Sequence, residues 1–401
     1  MKYIYLFLVG VITLFSCKNA THNSTSVILD AEKNDSMFFI NTGRLEEKYG
    51  FISNYFKKVN TIVLESNNKC LISEVSSLQI LGDSILILDK LKSKGVYLFN
   101  KSGRYIKQIA QIGNGPNEYL EPTDFTIDTN NRVLYILDSK KQEILVYDLK
   151  NSLFLKSLKL QNYKVKSYHL QYSDNKLITD SYYYMKSDSS YLLQEIDLEN
   201  GKCVRKWLTS NQYNKGISER VFTNQSVFFD RNKDPKFVQQ FMDTVILLDS
   251  GRVTNYFALT GSQLTAKELH SIEGGIIQKI NFLISVDKAY HISDLVTFRD
   301  LVYFNFKRRN LIQTCIYNIK TNKYEIFNGL KDDLIYKDAT GILPNLCFSD
   351  NHQRVYSVID QTDMERFCHL AKSGALNKKL HKRETLMKLS PDANPIIFIY
   401  E

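Results

Sequence analysis

From Ser77 onward the chain repeats one grammar: an apolar run, a tight turn, an alternating run, a second Asn/Asp/Gly turn and another alternating run. Short apolar or alternating runs bounded by turn residues read as strands, one face or both faces buried. The first clear copy spans Ser77 to Gln111. Gly82-Asp83 turns into Ile85 to Leu88, Val96-Tyr97-Leu98-Phe99 follows, and Asn100-Lys101-Ser102-Gly103 turns into Tyr105 to Ile109. The second copy spans Asp124 to Leu160, and superposing the two places Asp89 over Asp138 and Phe99 over Tyr147, offsets of 49 and 48 residues. Later copies occupy 166–208, 220–259 and 291–327. A last copy begins at Leu346, continues through Val355 to Ile359 and is completed by Pro395 to Tyr400.

Six such meanders, spaced by about 50 residues, predict an all-β fold. Each is a small sheet with two faces that need a neighbour, so the units suit the blades of a six-bladed β-propeller better than a sandwich. A ring also has to be shut. Val59 to Glu65 is an isolated strand-like run ahead of the first full unit, and it is expected to complete the last blade beside Ile396 to Tyr400. Two stretches break the strand pattern. Residues 262–274 carry Thr265-x-x-Glu268, a capping box ahead of Leu269 and Ile272, and predict a short helix between blades four and five. Residues 362–390, rich in Lys, Leu, Glu and Met, predict helix inserted in blade six.

Composition supports strands: 25 Tyr and 23 Phe accompany many Ile, Val and Leu, whereas only one Trp is present. The N-terminus adds a different signal. Met1-Lys2 gives a charged start, Tyr3 to Phe15 is an uncharged and mostly apolar run, and Leu14-Phe15-Ser16-Cys17 closes it. That run is shorter than the roughly 20 residues of a bilayer span and reads as a signal peptide over residues 1–17. Its end resembles a bacterial lipobox, which makes Cys17 the expected lipid attachment site; an ordinary secreted protein is the alternative. Residues 18–58 form a polar tether, up to about residue 36, and a lead-in, ahead of the propeller at 59–401. The five other cysteines, widely spaced and without a C-x-x-C pair, suggest neither a disulfide framework nor a zinc site. The formal charge of +9 is scattered among acidic residues, with no basic cluster of the kind nucleic-acid binding needs.

The segment Ile112-Gly113-Asn114-Gly115-Pro116-Asn117-Glu118-Tyr119, followed by Pro122-Thr123-Asp124-Phe125, resembles the inter-blade signature of six-bladed β-propeller lipoproteins of Bacteroidales, relatives of NHL-repeat and TolB-like propellers. Ile62-Val63-Leu64-Glu65 and Asn394-Pro395-Ile396-Ile397-Phe398 resemble that family's start and end. Asn117 stands where the family commonly has Gly. The resemblance implies a propeller fold and a cell-envelope location, without an established reaction. Lys18-Asn19-Ala20-Thr21 lacks the acidic cluster that often follows the cysteine of surface-exposed lipoproteins, which favours the periplasmic face of the outer membrane over the cell surface.

Candidate chemistry is sparse. Gly113 to Tyr119 reads as a tight inter-blade crossing, since a dinucleotide fingerprint needs a third glycine and a following helix. As part of one rim it nominates Asn114, Glu118, Tyr119 and Asp124 as ligand-binding residues, with Glu118 and Asp124 as a potential carboxylate pair. His169 and His291, near the starts of inner strands, are the candidates for a metal at the axis, although their offsets place them at different depths. No nucleophile motif is present, and no cofactor is implied. The expectation is a membrane-anchored binding or scaffold protein that recognises a peptide, glycan or envelope protein; the alternative is a propeller hydrolase or lyase with its site in the central channel.

Overall fold

A computed structural model of the chain describes residues 29–30, 32–34, 37–43, 48–160, 165–183, 191–209, 227–249, 251–265, 268–269, 271–351 and 353–401. Cys17, the signal segment and the tether as far as residue 28 lie outside the described residues.

Blade one is the antiparallel meander Ser77–Leu81, Ser84–Asp89, Gly95–Asn100 and Tyr105–Ile109. Blade two runs Pro122–Asp128, Val133–Asp138, Glu143–Asp148 and Leu153–Lys159. Blade three comprises Leu170–Ser173, Lys176–Asp180, Tyr191–Ile196 and Cys203–Thr209, and blade four Phe228–Phe229, Lys236–Phe237, Thr244–Asp249 and Arg252–Thr260. Blade five is built from Tyr290–Phe298, Leu301–Arg308, Leu311–Asn318 and Lys323–Phe327. Blade six takes three strands from the C-terminal part, Leu346–Asp350, Arg354–Ile359 and Ile396–Tyr400, and its fourth from Val59–Val63. Ile396 pairs with Val63 and Tyr400 with Val59, so the predicted closure is the observed one.

Apolar side chains on each strand point alternately to the preceding and the following blade, and the core is a series of layers between neighbours. Leu86 and Leu88 of blade one pack with Phe125, Leu134 and Ile136 of blade two. On its other face Ile85 and Ile87 meet Ile397 and Ile399 of blade six, together with Ile62 of the closing strand. The Asp89 and Asp138 equivalence has a structural cause. Asp89 accepts hydrogen bonds from Leu91 N and Lys92 N in its own turn and from Ser73 N in the loop arriving at blade one. Asp138 does the same for Lys140 N and Lys141 N and for the arriving Leu120 N and Glu121 N. Asp180 repeats the second half in blade three, holding Tyr168 N and His169 N. Blades one to four also share a β-bulge between their third and fourth strands.

Part of the lead-in belongs to the sheets. Met37–Asn41 adds in parallel to Arg252–Thr260, the outer strand of blade four, with the Phe38 ring stacked on Tyr317 at 3.9 Å. Leu29–Asp30 pairs with Lys323–Phe327 of blade five, and Glu32–Asn34 with Met37–Asn41, so the paired segment begins earlier than the polar composition of the tether suggests. The capping-box hydrogen bonds of Thr265 and Glu268 are present, but the longer helix is Ile276–Ser285, beyond the stretch 262–274. Its N-terminal amide, Gly275 N, is capped by Gln278 Oε1 instead. Between the second and third strands of blade six lie helices Gln361–Lys372 and Arg383–Leu386, within the expected insertion. All five described cysteines are free.

Closure makes two predictions. Ile62 is buried between blades six and one, so Ile62→Ala is expected to cost about 2–4 kcal/mol in urea unfolding, as for other core truncations. Asp332, between blades five and six, accepts from Tyr400 OH, Leu334 N and Ile335 N, and burial pushes its carboxyl up to about 6. A carboxyl raised in the folded state stabilises the fold below its unfolded pKa of about 4 and loses that contribution as pH rises through the folded value. Stability measured from pH 4 to pH 6.5 should therefore carry a falling component of about 2–3 kcal/mol that Asp332→Asn removes.

Candidate functional site

The inner strands are stitched to one another by polar side chains. Gln79 Nε2 of blade one donates to Phe125 O of blade two at 3.2 Å, and Gln171 Nε2 of blade three donates to Arg231 O of blade four at 2.9 Å. The strongest stitches come from two consecutive residues after the first strand of blade four. Asp230 has a left-handed backbone (φ 49°), which sends its side chain and that of Arg231 in different directions. Arg231 crosses to blade two, where its guanidinium pairs with the buried Asp124 carboxylate and also donates to Phe125 O. Asp230 accepts from Thr297 N of blade five at 2.9 Å and Ser349 Oγ of blade six at 2.9 Å, and is neutralised by buried Lys236 at 2.8 Å.

This crossing closes the axis on the side of blades two and three and leaves a cavity of about 520 Å³ on the other, lined from blades one, four, five and six. Blade five supplies Asp294, held at φ 51° within a register shift between Ser293 and Val296 of its inner strand. Such bulges re-aim side chains beside sites. Asp294 accepts from Ser293 Oγ at 2.9 Å and Asn305 Nδ2 at 3.2 Å, and Thr314 Oγ1 in turn donates to Asn305 Oδ1 at 2.8 Å. Burial raises the Asp294 carboxyl and lowers the Lys307 ammonium, which attract each other across the same wall. Glu74, Asp360 and Asp363 line the wall between blades six and one.

The helix that leads into blade five exposes apolar side chains. Helix Ile276–Ser285 buries Lys279 and Leu283 while Ile276, Ile277, Ile280 and Ile284 are exposed, the reverse of ordinary amphipathic packing. Its C-terminal end meets the adjoining turn of blade five through Arg309 N to Val286 O. The exposed Leu311 and Ile312 follow that turn, and Ile312 also lines the cavity.

The rim residues nominated from sequence divide. Asn114 is exposed at the loop tip. Glu118 folds back to accept from Gly115 N at 2.7 Å, and a Cβ at position 113 would meet its carboxylate at 2.0 Å. The Gly-Asn-Gly segment thus makes room for Glu118, not for a phosphate. Tyr119 is buried, its hydroxyl at 3.3 Å from Gln108 Nε2. Asp124 lies at the axis, engaged by Arg231 and Leu170 N, so it does not form a carboxylate pair with Glu118. Nor do the histidines meet in a metal site. His169 Nδ1 is bonded to Asp180 at 2.7 Å, and burial holds His291 down to about 3, neutral under ordinary conditions. Among the described residues no group of three or more His, Cys, Asp or Glu side chains is arranged to hold a metal ion. The residues that shape the axis, Asp230, Arg231 and Asp294, were missed. The signal was there in Phe228-Phe229-Asp230-Arg231, charges directly abutting an apolar inner strand.

Fold and site define a six-bladed β-propeller with an off-centre axial cavity. The chain belongs to the family described as "Domain of unknown function (DUF4934)", whose model matches residues 46–401. Among solved structures it is similar to a "putative exported protein" from Bacteroides fragilis, with 17% identity over 90% of this chain and 99% of that one and a TM-score of 0.71. A member of the DUF4221 family from Bacteroides vulgatus is similar at 12% identity, over 86% of this chain and 96% of that one, with a TM-score of 0.50. No curated protein matches.

Removing one partner of a buried ion pair strands the other charge. Arg231→Met is therefore expected to destabilise by about 3–5 kcal/mol in guanidinium unfolding, and Asp124→Asn in the same chain should recover part of that loss. Simple additivity of the two substitutions would show that the pair does not couple the blades.

Proposed function

We propose that this chain is an exported binding protein, anchored in the outer membrane by a lipid on Cys17 and facing the periplasm, whose propeller takes a small polar ligand, or the polar end of a larger one, into the axial cavity. The observation that carries the reading is the cavity of about 520 Å³. That volume falls within the range of small-molecule sites, and its hydrogen-bonding side chains are fixed by the blades before any ligand arrives. Asp294, Asn305 and Thr314 already form one such array. The exposed isoleucines of the helix leading into blade five favour a ligand presented on a larger molecule, a peptide or glycan, since apolar surface of this kind commonly marks contact with a partner. Kinship with the NHL-repeat and TolB-like propellers is part of the same reading and rests on the inter-blade signature around Gly113 and Tyr119.

Two measurements test it. The soluble form beginning at Lys18 should show a rise in melting temperature with members of a panel of short peptides and oligosaccharides, because a ligand that binds only the folded state stabilises it by mass action. Asn345→Trp, which narrows the cavity at a solvent-exposed position of its wall, should abolish that rise and, because Asn345 also hydrogen-bonds the buried Asp294 carboxyl, lower the unliganded melting temperature. Equal shifts in both proteins would place binding elsewhere. For the anchor, Cys17→Ala should end labelling by a fatty-acid probe and release the protein from membranes; unchanged membrane partition would contradict it.

A further inference from the structure

Viewed along the axis of helix Ile276–Ser285, Ile276, Ile277, Ile280 and Ile284 fall within one arc of about 100°, given 3.6 residues per turn. All four are exposed, Ile277 by 67%. The helix is firmly seated all the same. Leu283, on its other side, packs with Phe241, Leu264, Leu269 and Tyr290, and Tyr290 OH donates to Leu283 O at 2.9 Å. The isoleucine stripe is therefore a fixed surface, about 15 Å long. The exposed Leu311 and Ile312 stand at the same end of blade five, directly after the turn whose Arg309 N holds Val286 O.

Apolar exposure of this kind fits a ligand-bearing macromolecule and a bilayer alike, and the course of the N-terminal chain decides between them. Leu29–Asp30 runs antiparallel to Lys323–Phe327, with Leu29 opposite Tyr324 and Asp30 opposite Lys323. Its N-terminal end therefore faces the Phe327 end of that strand, and Phe327 lies opposite Thr314, three residues from Leu311. The chain thus enters at Leu29 from the end of blade five that carries Leu311 and the helix. Tyr324 pairs with Tyr317, six residues beyond Leu311, so Leu29 stands roughly 20 Å from that end along the strands and roughly 10 Å to its side. Cys17 precedes Leu29 by twelve residues, which span at most about 40 Å. That length is enough to bring a lipid on Cys17 level with the helix, and it keeps the bilayer near. The helix also carries no acidic side chain for anionic headgroups to repel. Around its C-terminal end Arg308, Arg309 and Lys288 stand against two carboxylates, Asp287 and Glu268.

Resting on the reading of Cys17 as a lipid anchor, we propose that helix Ile276–Ser285 and the adjoining Leu311 form a membrane-docking surface. The tether lays this end of blade five against the phospholipid bilayer, and the ring sits on the membrane in a set orientation. A helix of this kind buries its apolar stripe at the boundary of headgroups and acyl chains. Its own affinity need not be high, because the anchor makes the contact intramolecular and raises the effective concentration of bilayer at the stripe. The cavity array of Asp294, Asn305 and Thr314 is not part of this surface, so docking and ligand binding are separable.

Trp207 is the only tryptophan of the chain, so an introduced indole can be read against a single background. The full-length protein is reconstituted in vesicles of phosphatidylethanolamine and phosphatidylglycerol with brominated acyl chains. Ile277→Trp should give a blue-shifted emission that the bromines quench at least two-fold. Leu153→Trp should stay unquenched: Leu153 is similarly exposed, but it lies at the hairpin joining the third and fourth strands of blade two, the opposite end of the ring. Adding Ile280→Glu should remove most of the quenching from Ile277→Trp while the lipid keeps the protein on the vesicles, with circular dichroism confirming the fold. Vesicle-bound protein whose Ile277→Trp indole is unquenched would overturn the docking surface and leave the anchor standing. Quenching that survives Cys17→Ala would uphold the surface and overturn the anchor, whereas a chain that takes no fatty-acid label and does not partition would overturn both. A blue shift without vesicles would also overturn the proposal, in favour of a second copy where it grows with protein concentration and of a ligand-bearing molecule where peptides or oligosaccharides bring it about.

Discussion

Each blade of this protein is an antiparallel meander with oily side chains on both faces, and no blade can hide both faces alone. Leu86 and Leu88 need blade two, just as Ile85 and Ile87 need blade six. A row of such units always leaves two faces bare, and a ring leaves none. The ring holds only if its two ends are joined by something stronger than contact, and here the joint is the backbone ladder between Val59–Val63 and Ile396–Tyr400. Nearby polar groups reinforce it: Thr61 N donates to His381 Nδ1 at 3.1 Å, and Asn394, just ahead of the last strand, holds Ile72 N at 2.8 Å and Cys70 O at 2.8 Å. Closure therefore links residues more than 300 positions apart, and the cavity exists because the circle is complete.

Around the axis a different economy operates. Inner strands carry polar side chains that reach across to neighbouring blades, so the blades are linked there by hydrogen bonds and ion pairs. Asp230 and Arg231 divide the work by pointing to opposite sides. The Arg231 link fills the region before blades two and three, and the space that remains lies off centre, bordered by the bulged strand of blade five and by the helix inserted in blade six. The binding reading follows from this asymmetry, since a fully packed or fully open axis would offer no shaped pocket.

Much of the fold was legible because its signals are local or repeated. The Asp89 and Asp138 register marks a turn that must accept several amides at once, so the residue recurs at a fixed place. The isolated Val59 run announced a strand without a sheet. Other features depend on geometry that no single segment encodes. The parallel pairing of Met37–Asn41 with blade four is set by where the chain happens to pass, and the repeated bulge between third and fourth strands leaves no distinctive residue type behind. The rim residues misled because Glu118 and Tyr119 are polar in character yet structural in use: one locks its own loop, the other fills the core. His169 and His291 misled in the same way, being taken up by Asp180 and by burial. The acidic wall escaped notice because Glu74 and Asp360 are almost 300 residues apart and meet only across the closed seam.

Native-state hydrogen exchange resolved to single amides tests the circle most directly. If the N-terminal strand shuts the ring, the hydrogen-bonded amides of Val59–Val63 and of Ile396–Tyr400 will exchange together, through one opening whose free energy matches global unfolding. Rapid exchange of Val59–Val63 alongside persistent protection of Ile396–Tyr400 would mean that the blade stands without it, and the account of how this fold holds its cavity would fail.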